Sequence, residues 1–167
     1  APIKFSKKTH VESQIDRIEK YIGIVKDYEF SRRDGGALII KEPAGVIGCL
    51  TPWNYPLGQI IQKVVFAILA GNTIVLKPSQ NTPLVSYYVV VGFEKAGLSK
   101  GVLNLVTGAG SEVGNAIALS DNIDVVSFTG STKGGREFSQ LAQETIKRTT
   151  LELGCLLYTS PSPRDAT

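Results

Sequence analysis

Residues 45–76, GVIGCLTPWNYPLGQIIQKVVFAILAGNTIVL, decide the fold. Positions 46–50 form a short apolar run of the buried type, and a polar cluster held between Pro52 and Pro56 ends it. Beyond Pro56, Ile60, Ile61, Val64, Val65, Ile68 and Leu69 recur at helical spacing until Gly71 stops the pattern. Positions 73–76 are a second apolar run. Strand, helix, strand at this length is a crossover unit that joins two parallel strands.

The same rhythm continues outward. Thr82 stands where an N-cap is needed, with Pro83 at the first helical position, so a helix is expected from there toward Gly97. Residues 102–106 predict a third strand, followed by a helix starting near Ser111. Residues 123–128 predict a fourth, with a helix through Phe138, Leu141 and Ile146, and residues 149–153 a fifth. Strands alternating with helices predict an α/β domain, a doubly wound, mostly parallel sheet covered on both faces. Upstream, residues 10–31 carry a polar helical pattern with Ile15, Ile18, Ile22 and Val25 as its stripe. Turn residues at 33–36 and a short strand at 37–40 follow.

Composition narrows the class. A chain of 167 residues has room for one packed α/β domain. Its net charge of +3 comes from scattered basic residues such as Lys7-Lys8 and Arg32-Arg33, beside acidic neighbours, so no nucleic-acid footprint is expected. No apolar run is long enough to span a bilayer, so no membrane partner is expected. The N-terminus lacks the layout of a signal peptide. Two cysteines, Cys49 and Cys155, make no disulfide framework, which fits a reducing, cytoplasmic setting. Methionine is absent throughout, as expected of an interior piece. Residues 155–167 are rich in proline and serine and complete no βα unit. They resemble translated vector sequence, are suspected to be non-native, and are left out of the fold.

The polar clusters share one position. Thr51-Pro-Trp-Asn-Tyr-Pro56, Lys77-Pro-Ser-Gln80, Thr107-Gly-Ala-Gly110 and Thr129-Gly-Ser-Thr132 each follow a predicted strand, so all should meet at the carboxyl edge of the sheet. Gly108-Ala-Gly-Ser-Glu-Val-Gly114 suits either close backbone approach to a phosphate or simple helix packing. Phe128-Thr-Gly-Ser-Thr132 opens a helix whose free N–H groups favour an anion, or Ser131 is only a cap. Lys77 suits ribose hydroxyls or a phosphate, or is a solvated lysine. In the proline-bracketed loop with Trp53, the Asn54 amide N–H is a candidate donor to a developing oxyanion, or it satisfies its own turn. Glu152, between Leu151 and Leu153, should face opposite to both; half-buried, its carboxylate would be able to activate water, and otherwise it is a solvent-facing strand residue.

In order and spacing, Pro-Trp-Asn-Tyr-Pro, Lys-Pro-Ser, Gly-x-Gly-x-x-x-Gly, Phe-Thr-Gly-Ser-Thr and Leu-Glu-Leu-Gly resemble the aldehyde dehydrogenase superfamily over residues 28–154. The resemblance implies a Rossmann-like cofactor domain at residues 45–154, truncated at both ends. Residues 1–44 would be an N-terminal helix and part of an oligomerisation hairpin. It implies an oxidoreductase that converts a small-molecule aldehyde to a carboxylic acid with NAD or NADP, the parent being a homodimer or homotetramer. By the same resemblance Asn54 stabilises the thiohemiacetal oxyanion and Glu152 activates the deacylating water. Leu50, Thr51, Pro52, Trp53, Lys77, Ser79, Gln80, Gly110, Gly114, Phe128, Gly130 and Ser131 would contact or shape the dinucleotide site. No metal ligands are implied.

Departures from the family pattern qualify this. The family's cysteine nucleophile lies beyond the Leu-Glu-Leu-Gly strand, and neither Cys49, a core residue, nor Cys155 replaces it, so these residues alone are expected to be inactive. Gln80 stands where many NAD-preferring members carry a glutamate, which leaves NADP open. Gly134 stands where a branched apolar residue is usual. A non-catalytic dinucleotide-binding or interaction fragment is the rival reading. A cysteine-dependent acyl-phosphate reductase is disfavoured by the presence of Glu152.

Overall fold

The structure, a computed structural model, describes residues 2–154; the proposed tail at 155–167, with Cys155, lies outside the described residues. The chain opens with α1 (Ile3–Phe5), a π-helical stretch (Ser6–Glu12) and α2 (Ser13–Lys26). The helical region therefore starts earlier and ends earlier than the expected 10–31. Its packed face also differs. Ile15 and Ile22 are exposed, while Gln14 is buried and the Tyr21 ring lies 3.8 Å from that of Phe66 on the next helix. Ile18 and Val25 of the expected stripe remain partly buried, on a face they share with Gln14 and Tyr21.

A hairpin of β1 (Ser31–Asp34) and β2 (Ala37–Ile40) follows, paired antiparallel with Asp34 opposite Ala37. Gly35, at φ +57°, makes the turn possible. The sequence had indicated only the second of these strands. Ser31 to Asp34 is entirely polar and exposed, so it carries no burial pattern to read.

The domain proper comprises β3 (Val46–Thr51), α3 (Pro56–Leu69), β4 (Thr73–Pro78), α4 (Pro83–Lys95), β5 (Leu103–Leu105), a π-helical turn (Gly110–Gly114), α5 (Asn115–Leu119), β6 (Val125–Gly130), α6 (Thr132–Gln143) and β7 (Arg148–Leu153). All five strands are parallel, in the order β5-β4-β3-β6-β7. The chain steps outward from β3 to β5, then returns to the other side of β3. That is the doubly wound arrangement expected, with its switch point between β3 and β6.

Alternation within β3 divides the core. Cys49 joins Ile60, Val64, Ala67, Ile74, Leu76 and Leu103 beneath α3 and α4. Its neighbour Leu50 joins Ile117, Ala118, Ile123, Val126, Phe138 and Ala142 beneath α5 and α6. Gly48 permits close packing on the second face, because a Cβ there would overlap the Ile117 side chain. Buried Asn72 ties the sheet to its entry: its Oδ1 accepts from the Ala44 and Gly45 amides at 2.7 and 3.1 Å, and its Nδ2 donates to the Ala67 carbonyl at 3.0 Å.

Two local expectations need correction. Thr82 occupies the N-cap position of α4 and Pro83 the first turn, but the Thr82 hydroxyl caps nothing. Ile146 is not part of the last helix: it follows α6 at φ +54°, 93% exposed. Among the described residues no helix is long and apolar enough to cross a membrane.

Candidate functional site

Three of the strands, β3, β4 and β6, run one or two residues into the polar clusters, while β5 stops short of Thr107. Thr51 ends β3, Lys77 and Pro78 end β4, and Thr129 and Gly130 end β6. The clusters therefore begin on the sheet and turn off its carboxyl edge, where loops are anchored by rigid strands. Register aligns them: Leu50 pairs with Lys77 on one side and with Phe128 on the other.

A groove of about 640 Å³ opens beside the switch point, lined by Leu50, Gly110, Phe128, Gly134, Phe138 and Leu141 among others. Three of the expected dinucleotide residues, Leu50, Gly110 and Phe128, meet here. A Cβ on Gly110 would touch nothing within 4 Å, so that backbone faces open space, whereas one on Gly114 would lie 3.3 Å from Leu50 Cδ2. The two glycines thus divide the two readings of their motif: Gly110 leaves room, and Gly114 permits packing. The Phe128 ring stacks on Phe138 with centroids 5.4 Å apart and covers Gly130 and Gly134. A Cβ at Gly134 would stand 3.3 Å from the ring, so the missing branched side chain is partly replaced by Phe128 itself.

Ser131 is the N-cap of α6, its Oγ accepting from the Gly134 amide at 3.1 Å. Its capping role is therefore real, and it leaves other amides of the first turn free to point outward. Lys77 departs from the solvated reading: it is buried, its Nζ donates to the Pro78 carbonyl at 2.9 Å, and burial lowers its pKa. Thr51 is buried with an unpartnered hydroxyl, and its carbonyl accepts from the Ser79 amide at 2.8 Å, fastening the β3 and β4 clusters together. Ser79 in turn accepts from the Asn81 amide at 3.3 Å, and Gln80 is exposed beside it.

The proline-bracketed loop lies elsewhere. Pro52 is half-buried, while Trp53 and Asn54 are exposed. Asn54 borders a second groove of about 560 Å³, with His10, Leu57, Val85, Tyr88 and Val89. Tyr55 holds the loop from below: its hydroxyl donates to the Thr9 carbonyl at 2.7 Å, and its ring lies 4.5 Å from that of His10. Asn54 thus does not share the groove of Leu50 and Phe128.

Glu152 is in neither groove. Strand alternation places Leu151 and Leu153 on the α6 side, where Leu153 packs against Gly135, and Glu152 on the α3 side. The carboxylate is 45% exposed, between the half-buried and the solvent-facing alternatives. It accepts from Thr129 Oγ1 at 3.1 Å and pairs with Lys63 Nζ at 3.4 Å. Lys63 is a site residue with only a weak signal in the sequence. Its signal was a lysine within the apolar stripe of α3, three residues after Ile60 and four before Ala67. The Cys49 thiol on the same face is buried and pushed up to about 12, chiefly by burial, with the Lys63 charge opposing the shift.

The sequence pattern of the Aldehyde dehydrogenase family matches residues 1–156. The 3-succinoylsemialdehyde-pyridine dehydrogenase of a Pseudomonas species is 47% identical over 131 residues, covering 78% of this chain and 28% of its own length. Among solved structures, an aldehyde dehydrogenase from Bartonella henselae superposes with a TM-score of 0.88 at 36% identity, covering 92% of this chain and 33% of that one. A mutant of aldehyde dehydrogenase C from Pseudomonas syringae, complexed with NAD+ and octanal, superposes at 0.79 and 44% identity, covering 84% and 30%. The chain therefore spans about a third of the length of the relatives it matches. With its five ordered motifs on one parallel sheet, it belongs to the aldehyde dehydrogenase family.

Proposed function

We propose that this chain is the dinucleotide-binding part of an NAD(P)-dependent aldehyde dehydrogenase that oxidises an aldehyde to a carboxylic acid. The observation that carries the reading is the groove at the switch point. Leu50 and Phe128 form its floor, the open Gly110 backbone one wall, and the face of α6 from Gly134 to Leu141 the other, with the helix N-terminus at its end. That space suits an extended ligand with an aromatic base and a phosphate: the apolar floor takes the ring, and the free amides after Ser131 take the charge. Lys77 at the end of β4, with Ser79 and Gln80 just after it, lies outside the groove lining and would supply hydrogen-bond partners to a ribose that extends past it. Gly114 packs on Leu50 and Gly130 under the Phe128 ring, which fixes the floor, while Thr51, Pro52 and Trp53 would shape the dinucleotide site from outside this groove.

NAD or NADP fits this arrangement and, when bound, supplies the hydride acceptor. The remaining roles fall to the chain's own side chains. Asn54, on a loop fixed by two prolines and by Tyr55, presents an amide to the oxyanion of the thiohemiacetal. Glu152 orients and deprotonates the water that releases the acid. Cys49 is not the nucleophile: buried on β3 with its pKa pushed up to about 12, it remains a neutral thiol. The nucleophilic thiol then comes from a part of the enzyme outside the third spanned here, and residues 1–167 alone turn over no aldehyde. Residues 1–44 form the helical and hairpin part and residues 45–154 the cofactor domain. The exposed β1–β2 hairpin serves a homodimer or homotetramer of the cytoplasmic parent enzyme.

The test is a graft. Residues 2–154 replace the matching segment of the Pseudomonas syringae relative in its non-mutant form, and octanal-dependent reduction of NAD+ is followed by absorbance. Turnover lost on Asn54→Ala supports the reading; a folded graft that binds neither dinucleotide refutes it.

A further inference from the structure

A lysine on the core-facing stripe of α3 requires an explanation. The side chain of Lys63 is only 4% exposed, between the turns that place Ile60, Val64 and Ala67 in the core. Stability alone favours an aliphatic residue there, because a buried ion pair rarely outperforms well-packed apolar side chains. The ammonium is aimed across the sheet. It donates to Ser127 Oγ on β6 at 2.7 Å and reaches Glu152 Oε1 on β7 only at 3.4 Å. Ser127 and Thr129, two residues apart on one strand, lie on the same face, and Thr129 is the register partner of Glu152. The two hydroxyls of β6 therefore bracket the pair. Ser127 takes the cation, and Thr129 donates to the other carboxylate oxygen at 3.1 Å.

The unequal distances matter. A lysine with no other side-chain acceptor would close on the carboxylate at ordinary ion-pair distance and hold it against the sheet. Here the short bond goes to the serine, and Glu152 keeps a charge beside it while remaining open to solvent. We propose that Ser127 is a positioning residue for Glu152: by taking the short bond of the buried Lys63 ammonium, it leaves the carboxylate loosely paired and able to turn toward a substrate water. This rests on the reading of Glu152 as the water-activating carboxylate, but its geometric content can be measured without cofactor or turnover.

The experiment is residue-resolved carboxylate labelling of the full chain, with a water-soluble carbodiimide and an amine nucleophile, read by mass spectrometry. In Ser127→Ala the ammonium closes on Glu152, and labelling there falls by roughly threefold, the scale set by a partly solvated ion pair. Ser127→Thr keeps the hydroxyl and labels as the parent does. Lys63→Met removes the charge and labels faster at Glu152. Glu94 and Glu137, remote from the pair, serve as internal references. A merely structural role for Ser127 predicts the opposite sign, because loosening the fold raises labelling. An unchanged or raised rate at Glu152 in Ser127→Ala, or no change in Lys63→Met, overturns the proposal. Failure of the dehydrogenase reading would appear instead as absent dinucleotide binding and would leave these rates as they are.

Discussion

Leu50 and Phe128 are register partners across β3 and β6, at the place where the chain, having run outward to β5, crosses back over the sheet. Above them the helix layer is divided between the π-helical turn and α5 on one side and α6 on the other, since the crossovers on either side leave in opposite directions. The groove over this pair is a consequence of strand order, and its chemistry is what the segments after β5 and β6 bring to it.

The two glycines of the Gly-x-Gly-x-x-x-Gly turn should respond differently to the same change. Gly110→Ala adds a methyl group to open space, so thermal stability stays level while dinucleotide affinity falls roughly tenfold, about 1.4 kcal/mol. Gly114→Ala presses on Leu50 and should cost about 1 kcal/mol of stability. Thermal melts and calorimetric titration of both variants decide it.

Gly48→Ala should be the more damaging substitution. Its Cβ would overlap Ile117, which is itself buried in the α5–α6 core, so relief requires moving a helix. A loss of about 1–3 kcal/mol in urea unfolding is expected; a loss below about 0.5 kcal/mol would show that α5 is not packed as described.

How much of this was legible in the sequence follows from what each signal reports. The order of strands and helices was readable because both faces of a parallel sheet are buried, which gives continuous apolar runs. The strand ends were not: Thr51, Lys77 and Thr129 are polar yet remain in the ladder, since backbone pairing does not depend on side-chain hydropathy. Burial of Lys77 was hidden for the same reason. Lys63 is hard to read from the sequence because one lysine among Ile60, Ile61, Val64 and Val65 barely alters a helical stripe, and its partners Ser127 and Glu152 are distant along the chain. Convergence of the clusters on one edge was inferred correctly; their division between two grooves and the α3 face was not, because it depends on which side of the sheet each loop leaves.

Cys49 gives a pH dependence. Burial raises its folded pKa from 9.0 to about 12. Between those values the unfolded chain has lost the proton that the folded chain retains, so stability falls as pH rises through this window. Cys49→Ala should flatten that part of the profile, although its cavity lowers stability at every pH. In the native chain Cys49 should resist iodoacetamide at neutral pH and react once urea unfolds it.

Lys77 acts in the opposite direction. Burial lowers its folded pKa below the ordinary 10.5, so over the window just beneath 10.5 the unfolded chain binds more protons and stability rises with pH. The stability of the parent relative to Lys77→Met should therefore rise as pH approaches 10.5. A difference independent of pH would mean that the ammonium is fully solvated.

Gln80→Glu tests cofactor choice. A carboxylate in this exposed turn would accept from ribose hydroxyls and repel a 2′-phosphate. The ratio of NADP+ to NAD+ dissociation constants should rise roughly tenfold, about 1.4 kcal/mol. An unchanged ratio would place the adenosine ribose away from β4.

The most direct test of the central claim is calorimetric titration of NAD+ and NADP+ into the folded 167-residue chain, alongside Lys77→Met and Gly110→Val. The account predicts saturable binding to the parent chain that both substitutions weaken or abolish. A parent chain with dispersed amide resonances and no heat of binding for either dinucleotide would contradict it.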